Sequence, residues 1–367
     1  MDTVFDFDEN MRMRQVRGTE LRWYDAKEAR FGLFGSDALS EDGFCRMTQA
    51  ERAHLLPVNE GEAWLGEHSA GIGLQFETDS AQLFVRVKNR SGFDMTNMTL
   101  IGQTGIDLYV YDESLSRYRL HEVGRGNFED SEYELSLGHF SDRPRRKRKY
   151  LMYLPLYMST LRLEIGLDKE SEIIPVPFEN KERICVYGTS ITQGCSASRP
   201  GMAYTNILSR RLCCEVLNFG FSGSAFMEKE MGEILGKRKL DLLIVDAEPN
   251  AGCDERMKDN AEKFLNAFFD GNPHCPVVLY SRILFALDTY DENRVRLREF
   301  YKDFLKKLAL RFRKKGKRVY FADGSKILGE EYTEWTADGI HPDDVGMKYI
   351  ADHYEKTIKR IKKELQR

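Results

Sequence analysis

The chain has 367 residues, long enough for two ordinary domains that each bury a core. With 41% hydrophobic and 31% charged residues, its composition is globular rather than disordered or fibrous. A formal charge of −4 argues against nucleic-acid binding by phosphate neutralisation. No apolar run nears the roughly 18 residues of a membrane span, so no membrane partner is expected either.

The N-terminal stretch Met1–Glu9 is acidic and lacks the basic-then-apolar pattern of a secretory leader. The seven cysteines are odd in number, irregularly spaced and form no CxxC pair. That spacing predicts no structural zinc and fits a reducing, cytoplasmic location. Trp23, Tyr24, Phe31 and Phe34 suggest a segment that packs onto the β-sandwich that follows it in the chain.

From about residue 60 to 175 the texture is that of short strands. Gly71–Phe76, Ala81–Val87, Ile106–Tyr111 and Leu161–Leu167 are each four to eight residues long and bounded by turn formers. In Gln82-Leu-Phe-Val-Arg-Val the apolar and polar positions nearly alternate, as a half-buried antiparallel strand requires. Tyr133–Leu137 and Tyr150–Tyr157 flank a basic run of Arg143, Arg145, Arg146, Lys147, Arg148 and Lys149 around Pro144. Such a run is either an anion contact or a solvated hairpin turn, and the turn is preferred because charge runs usually solvate loops. The stretch as a whole predicts a β-sandwich or jelly roll.

From Arg183 onward strands alternate with helices. Ile184–Tyr187, Glu215–Phe219, Leu242–Asp246, Val277–Tyr280 and Arg318–Ala322 are short strands, most of them continuously apolar like those buried on both faces of a parallel sheet. Ala203–Leu212, Met257–Phe269 and Glu292–Lys314 carry helical periodicity, and Asp344–Leu365 closes the chain as an amphipathic helix. Repeated βα units predict a three-layer α/β/α sandwich. The seam is expected near Pro175–Asn180, giving residues 1–178 and 179–367 as the two units.

In such sheets the chemistry gathers at the C-terminal ends of the strands. Ser190 sits two residues past the strand that ends at Gly188, between glycines 188 and 194 that permit tight turns. It reads as a nucleophile or as an ordinary capping serine. Asp338-Gly-Ile-His341 lies directly before the last helix. A serine needs a base to take its proton, and a histidine serves if a carboxylate fixes its tautomer. Alternatively Asp338 forms a turn and His341 is a surface residue. After the second strand, Gly223 could aim a backbone N–H at a developing oxyanion; after the third, the Asn250 side chain could do so. Either loop could equally be structural.

Together, the ordered set Ser190, Gly223, Asn250 and Asp338-x-x-His341 resembles the four blocks of the SGNH (GDSL-type) hydrolase superfamily. Gly105-Ile-Asp-Leu-Tyr109 resembles the GxDLY signature of β-sandwich domains that precede one branch of these hydrolases. The resemblance implies a three-layer α/β/α, flavodoxin-like hydrolase domain behind a jelly-roll-like sandwich. It implies Ser190 as nucleophile, His341 as general base and acid, and Asp338 as its orienter. Gly223, Asn250 and the Ser190 N–H would form the oxyanion hole. Two blocks depart from the pattern: Gly-Thr-Ser replaces Gly-Asp-Ser, and Glu248-Pro-Asn250 replaces Gly-x-Asn. Proline before Asn250 alters the local backbone and with it the aim of that amide.

This implies a serine esterase that needs no cofactor. The architecture resembles carbohydrate esterases, so an acetylated oligosaccharide is the leading expected substrate. A short-chain lipid ester or thioester is the enzymatic alternative, and a carbohydrate-binding protein on a hydrolase fold is the non-enzymatic one. Phe221, Phe226 and Trp335 could stack on a sugar ring, although a core role is favoured for at least two of them.

Overall fold

The computed structural model describes residues 20–38, 42–90, 92, 94–126, 131–140, 145–253 and 255–366. The N-terminal strands are β1 (Leu21–Asp25), β2 (Leu33–Phe34), β3 (Gly73–Thr78), β4 (Gln82–Arg90), β5 (Ile106–Asp112), β6 (Arg117–Gly124), β7 (Glu132–His139), β8 (Arg148–Tyr153), β9 (Ser159–Asp168) and β10 (Ile173–Pro175). They form two antiparallel sheets, in the orders β1-β9-β4-β7 and β10-β3-β8-β5-β6, with β2 on the flank of β3. Period-2 alternation closes the sandwich: Val85, Val87, Leu163 and Ile165 of one sheet share a core with Leu74, Leu108 and Met152 of the other.

The first aromatic segment is part of this sandwich rather than a layer upon it. β1 pairs along β9, and Tyr24 and Phe31 enter the core. The strand expected over Tyr150–Tyr157 stops at Tyr153, since Pro155 has no N–H to offer a ladder. Of the basic run, Arg143 and Pro144 lie outside the described residues. Lys147 pairs with Glu172 at 2.6 Å, and the Arg148 guanidinium lies 4.3 Å from the Phe140 ring centroid.

The second half is a five-stranded parallel sheet, β11 (Arg183–Gly188), β12 (Glu215–Gly220), β13 (Leu242–Asp246), β14 (Val277–Tyr280) and β15 (Val319–Ala322), in the order β12-β11-β13-β14-β15. Burial on both faces explains the continuous apolar runs. Cys185, Tyr187, Leu243 and Val245 face one helical layer, and Ile184, Val186, Leu242 and Ile244 face the other. The helices Arg256–Gly271 and Glu292–Lys314 cover the first face; Tyr204–Leu212 and Asp344–Leu365 cover the second. No helix among the described residues is long and apolar enough to cross a membrane.

The two halves are fastened through the Gly-Ile-Asp-Leu-Tyr strand. Alternation along β5 sends Leu108 into the sandwich and turns Asp107 and Tyr109 outward, toward the C-terminal half. Asp107 is fully buried and accepts from the Arg199 guanidinium at 2.6 Å and the Gly201 N–H at 2.7 Å. Arg199 also donates to the Tyr109 hydroxyl at 2.5 Å. Burial pushes the Asp107 carboxyl up and Arg199 opposes that rise. Position 201 must be glycine, because a Cβ there would lie 2.1 Å from the Tyr109 hydroxyl.

A second fastening is Arg46, fully buried, whose guanidinium donates to the carbonyls of Leu65 (2.6 Å), His68 (3.0 Å), Asn218 (3.1 Å) and Gly220 (2.5 Å). It thereby ties the N-terminal half to the end of β12. Helices Gln49–Leu55 and Glu60–Leu65 join in, with Leu55, Ala63 and Leu65 packing into the core of the parallel sheet.

Removing one partner of a buried pair leaves an uncompensated charge, whereas a half-exposed pair contributes little. Arg199→Ala is therefore expected to lower stability in urea by about 3 kcal/mol. Arg211→Ala, at its partly exposed pair with Asp352, is expected to cost less than about 1 kcal/mol.

Candidate active site

Ser190 follows β11 as the first residue of a one-turn helix, Ser190–Gln193, and is 8% exposed. Thr189 at the N-cap accepts from the Ile191 N–H at 3.4 Å. Serine at this position keeps its backbone N–H out of the helix's own ladder, as every first-turn amide does. Its Oγ lies 2.8 Å from His341 Nε2, and His341 Nδ1 lies 2.7 Å from Asp338 Oδ2. Three residues separated by up to 151 positions thus form one unbroken hydrogen-bonded chain.

The Asp338–His341 loop is rigid for a local reason. Asp338 Oδ1 accepts the backbone N–H groups of Ile340 (3.0 Å) and His341 (2.8 Å), so the carboxylate caps its own turn. Its other oxygen is left for the imidazole. Burial raises the Asp338 carboxyl, but the His341 N–H, Asn97 and the imidazole more than offset this and hold it at about 2. Burial lowers the His341 imidazole; Cys195 and Asp338 outweigh that and raise it to about 9.

Four amides of the second-strand loop are held by hydrogen bonds. Phe221 N–H donates to Gly188 O (2.8 Å), Ser222 N–H to Gln193 Oε1 (3.0 Å), Ser224 N–H to Phe221 O (3.1 Å) and Ala225 N–H to Asn250 Oδ1 (3.3 Å). Among the described residues the Gly223 N–H has no such partner. Gly223 sits at φ +69° with open space beside it, so its amide is presented rather than covered.

Asn250 lies in the short helix Glu248–Ala251 with Pro249 in its first turn. Because its Oδ1 takes the Ala225 N–H, its Nδ2 is turned the other way, free to donate. Glu248, which stands where the family pattern has glycine, is buried. It accepts the Arg282 N–H at 2.8 Å, and burial pushes its carboxyl up to about 8. Glu248 therefore anchors the loop that carries Asn250.

Of the three aromatic candidates, Phe221 is fully buried beneath Arg46. The Arg256 guanidinium lies 3.3 Å from the half-buried Phe226 ring centroid. Trp335 packs on the core against Tyr349. A cavity of about 360 Å³ lined by Tyr111, Tyr118, Phe178 and Arg210 lies at the seam of the two halves and does not include Ser190.

One residue at the site has no signal in the sequence. Asn97, from the loop before helix Leu100–Thr104, donates through Nδ2 to Asp338 Oδ2 at 2.8 Å and lies 3.3 Å from His341 Nδ1. It is 241 positions from Asp338, and nothing in its own neighbourhood distinguishes it from a loop asparagine.

With this geometry in view, the relatives fall into place. Residues 181–359 match the GDSL-like lipase/acylhydrolase family, and residues 21–173 match the N-terminal part of SGNH-hydrolase-type esterases that carries the GxDLY signature. The chain belongs to the SGNH (GDSL-type) esterases with a GxDLY-type N-terminal domain. A GDSL-like lipase from Bacteroides ovatus is similar over 94% of this chain and 98% of its own, with 28% identity and a TM-score of 0.84. The salicylyl-acyltransferase SsfX3 of a tetracycline biosynthetic pathway shares the fold over 94% of this chain and 98% of its own, at 18% identity and TM-score 0.79. A family-two carbohydrate esterase from Clostridium thermocellum, solved with cellohexaose, shares it over 79% of this chain and 92% of its own, at 11% identity and TM-score 0.58. No curated protein sequence matches the chain.

An imidazole raised from 6.5 to about 9 in the folded state favours folding while protonated. That contribution is complete below about pH 6.5 and is lost as the pH rises through about 9. NMR titration of the ring protons is expected to find His341 titrating well above the ordinary histidine range. Asp338→Asn should bring it down, because burial is then opposed by one charge fewer; an unmoved titration would contradict this electrostatic account.

Proposed function

We propose that this chain is a serine ester hydrolase that removes acetyl groups from O-acetylated carbohydrate through a covalent acyl-enzyme. The observation that carries the reading is the hydrogen-bonded chain from Ser190 Oγ through His341 to Asp338. Ser190 Oγ attacks the ester carbonyl as His341 Nε2 takes its proton, and Asp338 stabilises the imidazolium that results. The carbonyl oxygen gains a full negative charge in the tetrahedral intermediate. Gly223 N–H, Asn250 Nδ2 and Ser190 N–H are its donors. When the intermediate collapses, His341 gives the proton to the departing alkoxy oxygen and the sugar alcohol leaves. Water then attacks the acetyl-Ser190 ester, losing a proton to His341. Acetate departs, and Ser190 Oγ recovers that proton.

His341 can take the Ser190 proton only while neutral, so an imidazole raised to about 9 shifts the active limb of this cycle toward alkaline pH. Residues 179–367 carry the chemistry in this reading, and residues 1–178 form a wall of the site. The sugar preference rests on likeness of fold to family-two carbohydrate esterases, one of them solved with cellohexaose. Seven cysteines, odd in number and without a CxxC spacing, suit a reducing, cytoplasmic setting.

p-Nitrophenyl acetate hydrolysis is expected from the wild-type chain, with Ser190→Ala lowering kcat by at least about 10³-fold. Asn250→Ala should cost roughly 10²-fold, the scale of one oxyanion donor. A fluorophosphonate probe should label Ser190; a chain that binds sugars but resists labelling is a binding protein, not an esterase. Acetylated xylo- and manno-oligosaccharides assayed beside short lipid esters decide the substrate. Faster turnover of the lipid esters would overturn the carbohydrate assignment.

A further inference from the structure

We infer that Asn97 is a positioning residue of the hydrolytic site, and that the N-terminal half thereby contributes a working part of the Asp338–His341 pair. The inference rests on the serine-esterase reading of Ser190 and His341.

The Asp338 carboxylate has two oxygens with different duties. Oδ1 is occupied by the backbone N–H groups of Ile340 and His341, so it fixes the carboxyl to its own turn. Oδ2 faces the imidazole at 2.7 Å, and two contacts to a single oxygen do not by themselves set the angle of the carboxyl plane. The Asn97 amide supplies the missing constraint. It donates to Oδ2 at 2.8 Å, and passes within 3.3 Å of Nδ1 and 3.5 Å of Cys195 Sγ. The Asn97 amide is a donor that never ionises, so it holds Oδ2 in place without adding a charge beside His341. By sharing Oδ2 it also draws negative charge away from the imidazole.

Asn97 itself is held across the seam by the other half of the chain. Its backbone carbonyl accepts from Ser196 Oγ at 2.9 Å. Two residues on, Thr99 Oγ1 donates to Ser198 O at 2.7 Å. Gly102 lies so close to Ala197 that a Cβ there would come within 2.4 Å of its carbonyl oxygen. The loop is thus clamped against residues 196–198, the segment that follows the Ser190 helix. The groups around His341 are then complete in kind: Ser190 and Asp338 from the hydrolase blocks, Cys195 from the segment after Ser190, and Asn97 from the other half of the chain.

The test compares Asn97→Ala and Asn97→Asp with Thr99→Ala in the full-length chain, using p-nitrophenyl acetate. Thr99→Ala removes a neighbouring latch of the same loop without touching Asp338. Asn97→Ala is expected to lower kcat by about 10- to 100-fold, the range for a hydrogen bond to a charged group. KM should stay within about twofold, since substrate contacts are untouched. The acidic limb of kcat/KM should move up by roughly 0.5–1 pH unit, because Oδ2 then bears undivided on the imidazole. Asn97→Asp, of the same shape but without the donor, should fall at least as far in kcat. Thr99→Ala should keep its kcat within about threefold and its pH profile unmoved. If Asn97→Ala keeps the wild-type kcat and pH limb while Ser190 still takes the fluorophosphonate label, the assignment of Asn97 is wrong. Equal losses in Asn97→Ala and Thr99→Ala with no change of pH limb would reduce Asn97 to a structural latch and overturn it likewise. If Ser190→Ala remains active, the serine-esterase reading fails, and this inference with it.

Discussion

The buried carboxylate of Asp107 is the constraint on which the arrangement of the two halves turns. A carboxylate with no exposed surface must find donors, and its donors, Arg199 and the Gly201 N–H, both belong to the hydrolase half. Bringing both donors to its Oδ2 therefore requires the sandwich to dock in one orientation. Strand β5 is positioned by that contact, and the loop that precedes its helix is carried to residues 196–198 with it. Arg46 imposes the same discipline at the other end, where its guanidinium must satisfy itself on carbonyls of β12. Two charges of the N-terminal half, each buried against a different part of the other half, leave little freedom for sliding or rotation at the seam.

The site divides its duties among elements of different stiffness. Ser190 stands at the edge of a central strand, where backbone position is set by the sheet. The loop after β12 is fixed by hydrogen bonds to Gly188, Gln193 and Asn250, while the Gly223 amide is presented. Asn250 serves both loops, since its oxygen is spent on Ala225 and its nitrogen is thereby aimed. The histidine loop is the most exposed part, and it is made rigid by a carboxylate that caps its own backbone. Electrostatics follow from this placement: burial works against charge on both Asp338 and His341, the His341 N–H and Asn97 donors hold Asp338 ionised, and Cys195 and Asp338 raise His341.

Much of this was legible beforehand because its signals are local. Glu292–Lys314 and Asp344–Leu365 carry a helical stripe over many turns, and the structure has helices with those bounds. The parallel strands announced themselves as continuous apolar runs because both of their faces are buried. Ser190, Gly223, Asn250 and Asp338-x-x-His341 each sit beside a strand end or a helix start, where glycine, serine and asparagine have a local backbone reason to be. The apolar stretch to Tyr157 outruns its strand, which stops at Tyr153 because Pro155 offers no N–H to the ladder. The first aromatic segment was placed outside the sandwich because β1 pairs with β9, a partner nearly 140 residues away in sequence.

What the sequence by itself determined was therefore periodic or local: two textures, a sandwich and a doubly covered parallel sheet, and the residue types able to perform acyl transfer. Only the tertiary structure decided which groups converge. Asn97 carries no sequence mark, since its significance is a distance to a residue 241 positions away. Asp107 and Tyr109 read as ordinary strand residues until β5 is set against the 199–201 turn. The aim of Asn250 depends on a bond from Ala225 that no spacing predicts. Period and propensity are properties of neighbouring residues along the chain, whereas satisfying a buried charge or amide is a property of whatever the fold brings alongside it.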